Sequence, residues 1–532
     1  MTDVPWWKRS VIYQIYPRSF QDSDGDGVGD LKGIRRRLDY LAWLGIGAIW
    51  ISPLFPSPMA DFGYDISDYC GIAPSFGSMQ DFDALVGEAH ARSIRVILDF
   101  VPNHTSDQHP WFLESRASRD NARRDWYIWR DGQPDGAPPN NWISQFGGPA
   151  WSFDGATRQY YLHSFLPQQP DLNWRNPALR AAMLDVLRFW LDRGVGGFRV
   201  DVLWLLIKDA GLRDNPPNPA YLPTQAAINR TLSVYNADQA EIHEVIADMR
   251  AVLDGYGERL LIGEIYLPFE RLAAYYGKDL SGAHLPFNFA LIHASWDAAA
   301  IAGLIREYEA SLPPGGWPNW VLGNHDQRRI TTRVGGAQAR IAAMLLLTLR
   351  GTPTMYYGDE IGLPGVEVAP ELTQDPWERR EPGLGLGRDP SRTPMQWDAT
   401  PNAGFSTGRP WLPVESGFRL RNVAVQQADD RSILSLNHAL VALRNAHTAL
   451  SIGAQRIIGV RGNVLLFERS DANETFMVAL NFGSESQSLP EAHDGEILLS
   501  TSMDRPDGTG AILRGDEGLV LRRFQNSLRF SR

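Results

Sequence analysis

The chain has 532 residues, of which 43% are hydrophobic and 21% charged, so it is long enough for two or more globular domains. Its formal net charge of −11 argues against nucleic acid or an anionic membrane as the main partner. The single cysteine, Cys70, excludes an internal disulfide, and neither a secretory signal nor an apolar run of membrane-spanning length is recognisable. We therefore expect a cytoplasmic monomer or homodimer that binds neither nucleic acid nor membrane.

From the start to residue 448, short apolar runs alternate with amphipathic stretches, which is typical of parallel strands joined by helices. The predicted strands are 11–16, 48–52, 95–101, 197–202, 260–266, 285–289, 320–324 and 353–357. The predicted helices are 33–44, 80–91, 178–192, 241–253, 296–308, 337–349 and 434–446. Eight such units favour the α/β class and a (β/α)8 TIM barrel.

Two segments depart from this alternation. Residues 104–173 are rich in Pro, Gly, Asn and aromatic residues without sustained periodicity, which indicates a subdomain inserted after the third strand. From residue 449, short β-type runs at 456–460, 464–468, 475–480, 496–499 and 518–521 predict an antiparallel β domain. The predicted domains are the catalytic barrel (1–103 and 174–448), the inserted subdomain (104–173) and a C-terminal β-sandwich domain (449–532).

Polar residues close four of the predicted strands, at the edge where barrel enzymes have their active sites. The strand ends read DFVPNH (99–104), GFRVD (197–201), GEIY (263–266) and GNHD (323–326). Each charged group taken alone could be a helix cap or part of a buried ion pair. Because three carboxylates, two histidines and an arginine converge on one rim, they predict an active site made of Asp201, Glu264, Asp326, His104, His325 and Arg199.

These strand ends resemble the signature regions of the α-amylase superfamily, glycoside hydrolase family 13. They occur in the family's order, and the insertion lies where the family has its domain B. The stretches VIYQIYPRSF (11–20), DFGYDISDY (61–69) and RTPMQWD (392–398) match as well. The resemblance is greatest to the α-glucosidase and oligo-1,6-glucosidase branch, and it implies a retaining, exo-acting α-glucosidase that acts on short α-glucosides and also transfers glucosyl groups.

The resemblance assigns a role to each carboxylate. Asp201 would be the nucleophile, Glu264 the proton donor, and Asp326 the group that holds sugar hydroxyls in the transition state. Retaining hydrolysis requires one ionised and one protonated carboxyl group about 5–5.5 Å apart. Arg199 lies two residues before Asp201, so on a strand both side chains point to the same side. The guanidinium of Arg199 is therefore expected to keep the Asp201 carboxyl group ionised. A carboxyl group at the end of an apolar strand suits a raised pKa, as the role of Glu264 requires.

The same resemblance implies a pocket for the terminal glucose. His104 and His325 are expected to donate hydrogen bonds to its hydroxyls. Asp61 and Arg392 are expected to bind the far end of the ring, and Tyr64 to stack on its face. An aromatic ring gains from burying the apolar face of a sugar, while charged groups specify its hydroxyls.

The roles of three apolar residues are less well determined by the sequence. Phe146 and Phe165 line the pocket by resemblance or else pack the insertion, as most of the six tryptophans between 104 and 174 are expected to do. Val202 follows the nucleophile, and in this branch valine there accompanies α-1,6 cleavage more often than α-1,4 cleavage. One apolar side chain gives only about 1–3 kcal/mol of discrimination, so both linkages stay open.

An acidic loop before the first long helix resembles a calcium-binding loop. The carboxylates of Asp22, Asp24, Asp26 and Asp30 occupy its positions one, three, five and nine. The backbone carbonyl of Val28 occupies position seven. Gly33 replaces the glutamate that an EF-hand has at position twelve. We predict a structural Ca²⁺, with Mg²⁺ as the alternative ion and no organic cofactor. The other interpretation is a solvated acidic turn in which Asp30 caps the helix.

Two other functions stay open. Sucrose isomerases, trehalose synthases and glucosyltransferases share these residues, because all pass through a glucosyl-enzyme intermediate and the acceptor decides the product. A non-catalytic, amylase-like binding or transporter protein is the other alternative. The complete set of carboxylates and the lack of a membrane anchor argue against it.

Overall fold

The computed structural model describes residues 4–490, 495–505 and 512–524. Eight parallel strands form the central sheet, in the order β7-β8-β1-β2-β3-β4-β5-β6, so that neighbours in the sheet follow one another along the chain. They are β1 Ile12–Ile15, β2 Ala48–Ile51, β3 Arg95–Phe100, β4 Gly197–Val200, β5 Leu260–Gly263, β6 Leu285–Pro286, β7 Asn319–Val321 and β8 Thr352–Tyr356. This confirms the predicted barrel.

Alternate side chains of these strands point to the barrel interior and to the helices outside. Trp50 and Ile97 belong to the buried cluster inside the barrel, whereas their neighbours Ile49 and Leu98 belong to the larger cluster that includes the helices. Both faces are therefore buried, which explains the near-continuous apolar runs of the strands. Polar residues are tolerated where the strands end, and there they surround the barrel mouth.

The helices of the barrel cover the outside of the sheet. Their bounds are Leu31–Arg36, Leu38–Leu44, Met79–Ala91, Pro177–Asp192, Ile242–Asp254, Ala298–Ser311, Ile330–Thr348 and Ile433–Ala446. No helix in the described ranges is long and apolar enough to cross a bilayer.

Some bounds differ from those predicted, for local reasons. The helix predicted over 33–44 is two helices, because Arg37 leaves the helical region with φ −105° and ψ 5°. The helix predicted over 337–349 begins at Ile330 and includes a non-helical Gly335 with φ 81°. The strand predicted over 285–289 ends at Pro286, although the N–H of Phe287 still donates to the carbonyl of Gly263 at 2.7 Å.

The inserted segment forms a small unit on the barrel mouth. It contains the helix Pro110–Ala117 and a three-stranded antiparallel sheet of Trp129–Arg130, Gln159–Leu162 and Trp151–Asp154. A buried ion pair, with Lys208 Nζ 2.7 Å from Asp171 Oδ2, joins it to the segment after β4. This geometry fixes the insertion beside the carboxyl end of the barrel.

The C-terminal part is an antiparallel β domain, as predicted. Its main sheet pairs Ala454–Arg461, Val464–Ser470, Thr475–Asn481, Gly518–Arg523 and Gly495–Ser500 in that order, and Gln487–Ser488 pairs with Ile512–Leu513. Residues 491–494, 506–511 and 525–532 of the predicted domain lie outside the described residues.

Candidate active site

A cavity of about 260 Å³ opens at the carboxyl ends of the barrel strands. Nine residues predicted for the site line it, namely Asp61, Tyr64, His104, Phe146, Phe165, Asp201, Val202, Glu264 and Asp326. Three other predicted residues, Arg199, His325 and Arg392, are buried behind this lining. Seven further residues line the cavity that were not predicted from the sequence, namely Gln145, Trp204, Leu205, Tyr266, Gln327, Trp377 and Arg388.

Arg199 is the charged centre of the cavity wall. Its side chain is completely buried, and Nη1 donates hydrogen bonds to Asp99 Oδ1 at 2.7 Å and Asp201 Oδ1 at 2.8 Å. Nη2 forms an ion pair with Glu264 Oε2 at 2.7 Å. Asp201 and Glu264 therefore lie on the same side of the barrel mouth, within the span of one guanidinium group.

Three carboxyl groups around one guanidinium cannot all be ionised at low cost. Burial raises the pKa of Asp201 well above its usual value, against the lowering effect of Arg199. Burial also raises the pKa of Glu264, again against Arg199. Because each carboxylate repels the other, they titrate as a coupled pair in which ionisation of one carboxyl group raises the pKa of the other. One ionised and one protonated carboxyl group is the state that glycoside hydrolysis uses.

The residue after Asp201 leaves the strand in an unusual conformation. Val202 has φ 38° and ψ 46°, the left-handed region that costs a β-branched residue strain energy. In this conformation its N–H donates to Glu264 Oε2 at 2.8 Å. The turn thus holds the Glu264 carboxyl group in place while the Val202 side chain lines the cavity.

Asp326 lies in a positively charged part of the wall. Its Oδ1 accepts a hydrogen bond from Arg392 Nη2 at 2.7 Å and lies 3.3 Å from Arg388 Nη1, and its Oδ2 lies 3.3 Å from His325 Nε2. Burial alone would raise the pKa of Asp326, but these three groups together hold it well below its usual range. Asp326 is consequently ionised at neutral pH.

The arginine that pairs with Asp61 is Arg388, and this corrects the prediction that gave the position to Arg392. Arg388 Nη2 lies 2.6 Å from Asp61 Oδ1 and 2.8 Å from Asp375 Oδ1, and Arg388 lines the cavity. Arg392 lies behind Asp326, where its Nε donates to the carbonyl of His325 at 2.8 Å. A single 3-10 turn, Asp389–Ser391, separates the two arginines, and their side chains therefore point in different directions.

Tyr64 lines the cavity, and His325 supports it from behind. Their rings stack with centroids 5.3 Å apart and an interplanar angle of 4°. Gln14 Nε2 lies 2.8 Å from His325 Nδ1 and donates to it, which leaves the proton on Nε2, 2.6 Å from the Tyr64 hydroxyl. That hydroxyl in turn donates to Asp99 Oδ2 at 3.0 Å. The donor of His325 is therefore engaged within the protein.

His104 does line the cavity, as the sequence predicted. Burial lowers its pKa to about 4, so the ring is neutral at physiological pH. Its Nδ1 lies 3.1 Å from Asn103 Nδ2, and its Nε2 3.1 Å from the Tyr64 carbonyl. The ring of Phe165 packs beside it with centroids 5.1 Å apart. None of the six tryptophans of the insertion belongs to the described lining.

The acidic loop lies apart from the residues that line this cavity. Asp22, Asp24 and Asp30 bring one carboxylate oxygen each within 4.8 Å of one another, a hard-oxygen donor set that suits Ca²⁺ or Mg²⁺. Asp26 is not part of that group; its Oδ1 accepts from the Val28 N–H at 2.7 Å. Asp30 also caps the following helix, because its Oδ1 accepts from the Gly33 N–H at 2.7 Å.

Comparison with known proteins agrees with this geometry. A family model for the α-amylase catalytic domain matches residues 14–453. A probable α-glucosidase of Rhizobium meliloti (strain 1021) is 43% identical over 524 residues, which span 94% of this chain and 95% of that protein. An oligo-1,6-glucosidase of Heyndrickxia coagulans is 38% identical over 97% of this chain and 99% of its own.

Among solved structures, that of an α-glucosyl transfer enzyme is 42% identical and superposes with a TM-score of 0.93, covering 98% of this chain and all of the other. The fold, the carboxylates at the strand ends and the similarity over the full length all indicate the same family. The chain belongs to the α-amylase family of glycoside hydrolases.

Proposed function

We propose that this enzyme is a retaining, exo-acting α-glucosidase that releases terminal glucose from short α-glucosides of the maltose or isomaltose type. The observation that carries the proposal is the guanidinium of Arg199, shared by Asp201 and Glu264. Both carboxyl groups bind terminal nitrogens of one guanidinium, which suits the separation of about 5–5.5 Å that covalent catalysis requires, whereas an inverting enzyme keeps its pair about 6.5–9.5 Å apart to leave room for a water molecule.

In the first step the glucosyl group moves to the enzyme. A carboxylate oxygen of Asp201 attacks C1 of the terminal glucose, and the bond from C1 to the glycosidic oxygen breaks. The electron pair stays on that oxygen, which takes the proton of Glu264. The products are a glucosyl ester of Asp201, an ionised Glu264 and a free alcohol or sugar.

In the second step the ester is resolved. The oxygen of a water molecule attacks C1, Glu264 takes one of its protons, and the bond from C1 to Asp201 breaks. Both steps invert C1, so the released glucose keeps the α configuration. If a sugar or alcohol attacks instead of water, the same step transfers the glucosyl group. The similarity to an α-glucosyl transfer enzyme favours transfer as a second activity.

The remaining lining residues suit a single glucose ring. Asp61, Arg388 and Asp375 form buried ion pairs on one side of the cavity, and this charged group would block a longer chain beyond the glucose ring. Asp326 offers an ionised carboxylate to sugar hydroxyls, and Tyr64 an aromatic face. This closed side supports exo action. Linkage stays open, because Val202 alone does not separate α-1,4 from α-1,6 cleavage.

A substrate panel tests the proposal. The panel contains maltose, isomaltose, trehalose, sucrose and soluble starch, and the products are separated by chromatography. We expect glucose release from maltose or isomaltose and slow attack on starch. Proton NMR of the first product from maltose is expected to show α-glucose. Early β-glucose would indicate inversion, and a rapid loss of starch viscosity would indicate endo action; either result contradicts the proposal. Isomerised products from sucrose would favour the isomerase alternative.

We also propose that the acidic loop holds one structural Ca²⁺, with Mg²⁺ as the alternative ion. Asp22, Asp24 and Asp30 are the carboxylates that would hold it. When bound, the ion would neutralise their mutual repulsion and stabilise the start of the helix Leu31–Arg36. No step of the reaction involves this loop.

Removal of the metal is expected to lower the melting temperature by a few degrees, because an ion that binds only the folded chain adds stability. Activity at about 25 °C should change little. EDTA treatment followed by calorimetry measures the effect, and restoring Ca²⁺ or Mg²⁺ identifies the ion. Asp24→Ala is the matched variant and should no longer respond to either ion. An unchanged melting temperature in the unmodified protein would leave the loop as an acidic turn.

A further inference from the structure

Three chain segments meet around Trp377 at the mouth of the cavity. They are residues 144–148 of the insertion, residues 203–240 after β4, and residues 373–388 before Arg388. Trp377 lines the cavity and is partly exposed, and its ring lies 5.6 Å from that of Phe146 between centroids. Trp377 is therefore an aromatic part of the cavity wall that a molecule bound next to the glucose could contact.

The inner side of Trp377 is joined to the glucose site. Asp375 caps its short helix, with Oδ1 accepting from the Trp377 N–H at 3.1 Å. The same carboxylate binds Arg388 at 2.8 Å, and Arg388 contacts Asp61 and Asp326. The backbone of Trp377 therefore has a fixed position relative to the residues proposed to bind glucose.

The outer side of Trp377 depends on Glu381. Glu381 Oε2 accepts from the indole N–H of Trp377 at 3.2 Å, and Oε1 accepts from the backbone N–H of Ala227 at 2.9 Å. One carboxylate thus connects the tryptophan ring to the segment after β4. Ala227 begins a 3-10 helix that runs to Arg230, so the contact anchors an otherwise irregular segment.

The third segment is connected beside the same carboxylate. Arg380 donates to the carbonyls of Phe146 at 3.0 Å and Gly147 at 2.9 Å. Gly147 has φ +79°, and a Cβ atom there would lie 2.8 Å from the Glu381 side chain. The insertion therefore approaches Glu381 so closely that only glycine fits. Together these contacts join all three segments at one point.

We propose that Glu381 is a positioning residue that fixes the Trp377 ring at the mouth and thereby favours sugar or alcohol acceptors over water. Glu381 does not line the cavity, so it acts through Trp377. A fixed aromatic ring offers a preformed face to an acceptor or leaving group, whereas a mobile ring must be ordered when the acceptor binds. The inference rests on the proposed function, because it requires a glucosyl ester that water and other acceptors compete for.

The test is Glu381→Ala, which removes both acceptors, with Trp377→Phe as a second variant that keeps an aromatic ring and lacks the indole N–H. We expect the ratio of transfer to hydrolysis, measured with maltose as donor and acceptor, to fall about fivefold or more. KM for maltose should rise while kcat changes little. For Glu381→Ala, hydrolysis of α-glucosyl fluoride, whose leaving group is fluoride instead of a sugar, should stay within about twofold.

Glu381→Gln and Glu371→Ala are the controls. The glutamine side chain retains one acceptor oxygen. The ratio of transfer to hydrolysis in Glu381→Gln should therefore lie between those of the unmodified enzyme and of Glu381→Ala. Glu371 is exposed just before that segment, in the 3-10 turn Pro370–Leu372, and its loss should leave the ratio unchanged. An unchanged ratio in both Glu381→Ala and Trp377→Phe would overturn the inference, as would an equal loss on α-glucosyl fluoride. If the unmodified enzyme does not hydrolyse α-glucosyl fluoride, the proposed function itself fails.

Discussion

Asp201→Ala is expected to lower kcat for maltose by about a thousandfold or more, because no other group can form the glucosyl ester. The protein should keep or gain stability. Burial raises the pKa of Asp201, so at neutral pH its ionisation opposes folding, and its removal also relieves the repulsion of Glu264 and Asp99. Initial rates on maltose and the melting temperature measure the two effects.

Azide distinguishes loss of the nucleophile from general damage. In Asp201→Ala, azide can enter the vacated space and attack C1 of α-glucosyl fluoride as fluoride leaves, giving β-glucosyl azide. Asp209→Ala is the matched control, since Asp209 lies on the same segment, pairs with Arg213 and is not among the residues that line the cavity. It should retain nearly full activity. If Asp201→Ala retained a tenth of the activity, the nucleophile assignment would be wrong.

Glu264→Ala is expected to lower kcat/KM for maltose by about 10²–10⁴-fold, because the departing sugar then lacks a proton donor. The first step with α-glucosyl fluoride should be much less affected, since fluoride leaves without a proton. The second step should still be slow, because no base activates water, so the glucosyl ester should accumulate. Mass spectrometry of the intact protein would detect it as a covalent glucosyl adduct.

Azide should rescue this variant with the opposite stereochemistry. It needs no base, so it can attack the glucosyl ester of Asp201 and give α-glucosyl azide. Glu270→Ala, an exposed glutamate on the helix after β5, is the matched control and should behave like the unmodified enzyme. Formation of β-glucosyl azide by Glu264→Ala, or equal losses on maltose and α-glucosyl fluoride, would contradict the assignment of Glu264 as acid and base.

The central part of the site could be predicted because the two-residue period of a strand determines the side to which each side chain points. Arg199 and Asp201 are two residues apart at the end of an apolar run, and both indeed point to the same side. Glu264 closes the neighbouring strand β5, which is paired in register with β4. Charged groups at the ends of adjacent buried strands can only gather at the barrel mouth, so their proximity followed from the order of the strands.

The rest of the site could not be predicted, because its residues lie on irregular segments. Arg388 and Arg392 are four residues apart without strand or helix periodicity, and nothing in their spacing tells which one reaches Asp61. Trp377 belongs to the short helix Pro376–Arg380, which Asp375 caps, and Glu381 follows directly after that helix. Such side chains are oriented by tertiary contacts alone, and a single sequence carries no signal for those contacts.

The sharing of the Arg199 guanidinium by three carboxyl groups also bears on how Glu264 could serve first as acid and then as base. In the resting enzyme the negative groups outnumber the arginine, so one proton stays bound. Once Asp201 becomes a neutral ester, the guanidinium can balance Asp99 and Glu264 with less repulsion between them, and the pKa of Glu264 falls. In the proposed mechanism, the covalent bond itself would thus prepare Glu264 to deprotonate water.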